Sequence, residues 1–243
     1  MPRGARTTGW RAPFLLSERP MPDIARNAPE LILVIEPTAA GLALLARTIA
    51  DFPPACLIVA PPGGLPFCAD GETGPPVSPP LEEAAVRPLV EAAQAAGIAI
   101  LIADDPATAK AVGADGVHLT ATEDLAARQD AARRTLGPDA TIGVLSDMTR
   151  HTAMLAGEAG ADYIAFDMRA DAPDGGADLT AWWAEIFEVP VAALVGFDPD
   201  RAPAAAAAGA DFLALVPPVA SGSDDTSALF DKVRVIMSGA CET

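Results

Sequence analysis

Hydrophobic positions in this chain come in short solid runs separated by longer mixed stretches. The runs are Leu31–Ile35, Cys56–Ala60, Ile98–Ala103, 115–119, Thr141–Leu145, 162–166, 190–195 and 211–216. Runs of that length rich in Val, Ile and Leu, without alternation, predict strands buried on both faces. The stretches between them carry Ala, Leu and charged residues at helical spacing. They predict helices near 39–51, 81–96, 106–112, 123–136, 149–159, 178–187, 200–208 and 224–238. Pro37, Pro106 and Pro199 stand at or just before helix starts, where proline costs least.

A repeated phrase joins helix to strand. Ala111-Val112-Gly113-Ala114-Asp115-Gly116-Val117-His118-Leu119 returns as Ala159-Gly160-Ala161-Asp162-Tyr163-Ile164-Ala165-Phe166. It returns again as Ala208-Gly209-Ala210-Asp211-Phe212-Leu213-Ala214-Leu215. Glycine after a helical segment is the usual left-handed cap, and an apolar run then opens the next strand. Eight such βα units in order predict an α/β fold, a single (β/α)8 TIM barrel over residues 29–240. Residues 1–20 carry Arg3, Arg6, Arg11 and Arg19 against one acid, Glu18, with no periodic apolar face, and residues 1–28 are expected to be a disordered extension.

Composition narrows the chemistry. Of 243 residues 51% are hydrophobic and only 5% aromatic, so the core is aliphatic and alanine-rich. Thirty-three acids face 16 Lys and Arg, a net charge of −17, which disfavours nucleic acid and anionic membrane as partners. Cys56, Cys68 and Cys241 are scattered and form no CxxC, so neither a disulfide framework nor a zinc site is expected, and a reducing cytoplasm is. In such barrels chemistry sits where strands end. That rule selects Glu36, Asp104, Asp105, His118, Thr120, Asp124, Ser146, Asp147, Asp167, Arg169, Gly196 and Asp198. Asp and Ser before a helix are also ordinary N-caps. The Trp182-Trp183 pair is expected to pack in the outer ring, an exposed member marking a candidate homodimer contact.

The stretch Ile102-Ala-Asp-Asp-Pro-Ala-Thr-Ala-Lys-Ala-Val-Gly-Ala-Asp-Gly-Val-His-Leu-Thr-Ala-Thr-Glu-Asp124 resembles the thiamine phosphate synthase family and its TenI-like branch. That family reads I-N-D-R and then G-A-D-G-V-H-L-G-Q-E-D. Thr141-Ile142-Gly143-Val144 and Pro190-Val191-Ala192-Ala193-Leu194-Val195-Gly196 resemble its I-G-V and P-V-V-A-I-G-G. The resemblance implies an Mg2+-dependent transferase acting on small phosphorylated heterocycles. Asp104 and Asp124 would stand at the metal, Ser146 and Arg169 at the reacting groups, and Arg169, Gly196 and His118 at substrate phosphate.

Departures from the pattern shape the expectation of activity. The family's Q-x-R-x-K after strand 2 is absent from Leu57-Ile58-Val59-Ala60-Pro61-Pro62. Its T-x-T-K loop is Asp167-Met168-Arg169-Ala170, and the second glycine of G-G-I is Phe197. Weak turnover is therefore expected. The alternative is a TenI-like or degenerate barrel that binds a phosphorylated thiazole without catalysis.

Overall fold

The computed structural model describes residues 28–65, 81–169, 175–196, 198, 201–216, 230–231 and 233–235. Residues 1–27 of the expected N-terminal extension, the proline-rich stretch 66–80, Ala170 and Phe197 lie outside the described residues. Strands β1 (Glu30–Ile35), β2 (Cys56–Val59), β3 (Ala99–Ala103), β4 (Gly116–Thr120), β5 (Thr141–Leu145), β6 (Tyr163–Asp167), β7 (Val191–Gly196) and β8 (Phe212–Leu215) pair in parallel, and β8 closes on β1. Helices α1 (Ala39–Asp51), α2 (Glu83–Ala95), α3 (Pro106–Val112), α4 (Leu125–Leu136), α5 (Arg150–Glu158), α6 (Gly176–Ile186) and α7 (Arg201–Ala207) alternate with them. Residues 230–231 and 233–235 are helical too, inside the eighth expected helix. The chain is the (β/α)8 barrel its pattern predicts.

Two apolar layers explain the unbroken strand runs. Leu31, Leu33 and Ile35, with Val117, Leu119, Ile164 and Phe166, face the helices. Ile32, Val34, Ile58, Leu101, Leu145 and Leu194 fill the barrel interior. Each strand alternates its side chains between these two dry layers, so no polar face is needed. Trp183 is buried in the outer layer and donates to the Val189 carbonyl at 2.7 Å, while Trp182 is half-buried under the Arg150 guanidinium.

The repeated phrase has a structural cause. The Asp115 N–H donates to the Ile100 carbonyl, and its carboxylate accepts the Ile100 N–H, both at 2.8 Å. Asp162 does the same with Ile142, and Asp211 with Val191. Each aspartate thus clamps one residue at the start of the preceding strand from two sides. For this reason β4, β6 and β8 begin one residue later than their apolar runs predict. The aspartate is spent on the clamp. Before it, Gly113, Gly160 and Gly209 take positive φ of 73°, 86° and 83°, the cap conformation expected of them.

Interior packing also depends on one glycine. A Cβ on Gly143 would stand 2.1 Å from Cζ of Tyr163, so the tyrosine ring lies across β5 only because that side chain is missing. Tyr163 stacks on His118 with ring centroids 5.7 Å apart.

Candidate functional site

Strand ends converge at the C-terminal mouth of the barrel, and the acids there are held in place. Asp104 follows β3 with φ 53°, a left-handed conformation uncommon outside glycine. Its N–H donates to the His118 carbonyl at 2.9 Å. Its Oδ1 accepts the Thr120 N–H at 2.7 Å, and its Oδ2 accepts the Thr120 hydroxyl at 2.8 Å. Arg128, on the first turn of α4, donates from Nη2 to the same Oδ1 at 2.6 Å. Arg128 Nη1 donates to the Thr120 carbonyl at 2.7 Å and to the Thr122 hydroxyl at 3.1 Å. Thr122 in turn donates to Asp124 Oδ1 at 2.7 Å.

The two aspartates that the resemblance assigns to metal are therefore joined through Arg128 and Thr122. Asp124 is the N-cap residue of α4, but its exposed carboxylate makes no cap bond. This donor set does not suit Mg2+ as it stands. The Asp104 oxygens already carry three donors, one of them an ionised guanidinium, and Mg2+ demands close, near-octahedral oxygen ligands. Among the described residues no three His, Cys, Asp or Glu side chains group to hold a metal ion.

Asp105 is the cap of α3. It accepts the Thr108 N–H at 2.9 Å and the Thr108 hydroxyl at 2.7 Å. Ser146, just past β5, is fully buried, with its hydroxyl 3.4 Å from the Thr149 carbonyl. Asp147 is occupied by the hydroxyls of Thr149 and Thr152 at 2.8 and 2.9 Å.

A second cation–acid pair lies across the mouth. Asp167 ends β6 fully buried, and Arg169 folds back on it, Nε to Oδ1 at 2.9 Å and Nη2 to Oδ2 at 2.7 Å. A Cβ on Gly196 would stand 2.9 Å from Cγ of Arg169, so the missing side chain lets the arginine lie over the end of β7. Arg201 reaches the same place and donates to the Met168 carbonyl at 2.7 Å. On the opposite wall Glu36 accepts the Gly63 N–H at 2.9 Å, tying the ends of β1 and β2 together.

His118 sits deeper than these groups. It is 2% exposed, its Nδ1 is 2.7 Å from the Tyr163 hydroxyl, and its Nε2 has no partner among the described residues. Burial pulls the imidazole down to about 4, against an opposing pull from Asp104. Burial also holds the Tyr163 phenol protonated. The neutral ring carries a single proton, and the phenol and Nδ1 share one hydrogen bond whose direction follows the tautomer.

Sequence reasoning located Asp104, Asp124, Ser146, Arg169 and Gly196 at strand ends, and the fold brings them to one mouth. It missed Arg128 and Tyr163. The available signal for Arg128 was a cation in the first turn of a helix, where the macrodipole disfavours it.

The family described as thiamine monophosphate synthase matches residues 78–219, more than half of the chain. A thiamine-phosphate synthase of Erythrobacter litoralis is 41% identical over 146 residues, covering 57% of this chain and 67% of its own. One of Rhodospirillum centenum is 43% identical over 136 residues, covering 54% of this chain and 63% of its own. The structure of a thiamine phosphate pyrophosphorylase from Pyrococcus furiosus superposes with a TM-score of 0.63 at 18% identity. It covers 89% of this chain and 99% of that one, a likeness of fold. The matched family stretch begins after β2, the place where the expected cations are missing. On that sequence match over residues 78–219, the chain belongs to the thiamine monophosphate synthase family.

Proposed function

We propose that the chain joins hydroxymethylpyrimidine pyrophosphate to a thiazole phosphate, giving thiamine phosphate and pyrophosphate. The observation that supports this best is the convergence of the β3–β7 ends at one mouth, with the Asp104–Arg128 pair on one side and Arg169 with Gly196 on the other. Around the barrel, Asp104 and Thr120 close β3 and β4, Ser146 follows β5, and Arg169 and Gly196 close β6 and β7. Neighbouring strands thus offer one place for each phosphate, with the reacting carbon between them.

In the reaction the bond from the pyrimidine methylene carbon to pyrophosphate oxygen breaks, and pyrophosphate leaves with the electron pair. The resonance-stabilised pyrimidine cation then accepts the lone pair of the thiazole nitrogen. No strong base is required, so fixed charge and orientation matter most. Arg169 and the Gly196 backbone are assigned to the thiazole phosphate, and Asp104 and Asp124 to the end that receives pyrophosphate. Ser146 and neutral His118 lie beneath, buried under the mouth. The small phosphorylated substrates suit a cytoplasmic enzyme.

Turnover is expected to be slow, because each missing donor commonly costs about 10²–10³ in rate. The names carried by the relatives favour catalysis over binding alone. The test supplies both precursors to the purified full chain and follows thiamine phosphate and pyrophosphate together. Matched formation of the two, lost in Arg169→Ala, supports the reading. A folded wild-type chain that forms neither overturns it.

A further inference from the structure

Arg128 is placed against the electrostatics of its own helix. It occupies the first turn of α4, where the exposed N–H groups and the macrodipole favour acids. Something else must hold it there, and that is Asp104. The guanidinium reaches Oδ1 of Asp104 at 2.6 Å, the Thr120 carbonyl at 2.7 Å and the Thr122 hydroxyl at 3.1 Å. Through Thr122 it is one hydrogen bond from Asp124. A permanent positive charge therefore stands between the two carboxylates to which the resemblance gives a divalent ion.

Several features show that this is a built arrangement. Asp104 adopts φ 53° and turns both carboxylate oxygens onto Thr120 and Arg128. The pair is mostly enclosed, with side chains 24% and 19% exposed. The guanidinium has five N–H groups, and three are used by Asp104, Thr120 and Thr122. Among the described residues the N–H on Nε and a second on Nη2 have no partner, and such a pair is the kind of fork that grips phosphate oxygens bidentately. A divalent ion at Asp104 would have to displace the guanidinium or sit beside it against like charge.

We propose that Arg128 is the resident cation of this end of the barrel, binding the pyrophosphate group in the place where the resemblance puts Mg2+. The identity of the anion rests on the synthase reading; the replacement of metal by arginine rests on the geometry. Pyrophosphate binding at this mouth is then independent of divalent metal, and Asp104 serves as a positioning residue for the arginine.

The test reads binding without turnover. Mn2+ is titrated into the full chain and followed by electron paramagnetic resonance, and inorganic pyrophosphate is titrated by calorimetry in EDTA and in Mg2+. The wild-type chain should leave the Mn2+ signal free and bind pyrophosphate equally in both buffers. Arg128→Met should take up Mn2+ at least about ten-fold more tightly, since a like charge is gone. It should bind pyrophosphate only when Mg2+ is present. Adding Asp104→Asn to that variant should abolish the Mn2+ uptake. A merely structural arginine would leave Mn2+ affinity unmoved, and that result overturns the proposal. So does wild-type Mn2+ binding that Asp104→Asn removes, or wild-type pyrophosphate binding that is absent in EDTA. The wild-type measurements decide the matter even if Arg128→Met does not fold. A chain that binds pyrophosphate in EDTA yet forms no thiamine phosphate would defeat the synthase reading and leave this one standing.

Discussion

The two ends of the barrel use the same side chain for different purposes. At the N-terminal end Asp115, Asp162 and Asp211 repeat one clamp, donating to and accepting from a single backbone residue of the preceding strand. At the C-terminal end Asp104 and Asp167 each carry an arginine, one from a following helix and one from two residues away. The clamps answer a need shared by every βα unit, so they repeat in sequence. The arginine pairs answer a local need and do not. Repetition of an acid at αβ joints therefore signals architecture, and an acid whose partner is a cation at a strand end is the better candidate for chemistry.

The largest expected effect lies between the two ends. Burial lowers the His118 pKa from 6.5 to about 4, so the unfolded chain takes up a proton that the folded chain refuses. The stabilisation is complete above pH 6.5 and is lost as pH falls toward 4. A shift of that size corresponds to about 3 kcal/mol. Denaturant titrations of wild type and His118→Gln across that interval should show this extra acid loss in wild type alone; parallel curves would contradict it. Next, Arg169→Ala should lower turnover about 100-fold with both precursors, as expected for loss of one well-placed donor. Turnover that survives unchanged would make the C-terminal arginine structural, like the clamps.

Asp162→Ala tests the other end. It removes the acceptor of the Ile142 N–H and the partner of Arg133, and should cost about 2 kcal/mol by thermal or chemical unfolding. Turnover per folded molecule should not change, and a large loss of activity would break the division between the ends. The smallest effect is expected at Asp115→Asn. Burial raises the Asp115 pKa, so stability is lost as pH rises from 3.8 through that raised value, and the cost is complete above it. The amide keeps an oxygen for the Ile100 N–H and removes the charge. Stability near neutral pH should therefore stay within about 0.5 kcal/mol of wild type or rise, whereas Asp115→Ala should fall by about 1–3 kcal/mol.

Hydrophobic runs, αβ joints and glycine caps were enough to read eight strands, their order and most helix bounds from the chain alone. Each of those features is local, since a strand or a cap is specified by residues within a few positions of one another. Placing Asp104, Ser146, Arg169 and Gly196 at one mouth followed from the same logic, because a parallel barrel puts every strand end on one face. What the sequence could not reveal is which side chains answer which. Arg128 meets Asp104 from 24 positions away, Tyr163 meets His118 across 45, and Gly143 is required because the Tyr163 ring lies where its Cβ would be. Those pairings depend on strand register and on the direction in which each side chain leaves the backbone. Only closure of the barrel sets both, so the architecture was written locally, and the charge balance of the mouth was decided by tertiary structure.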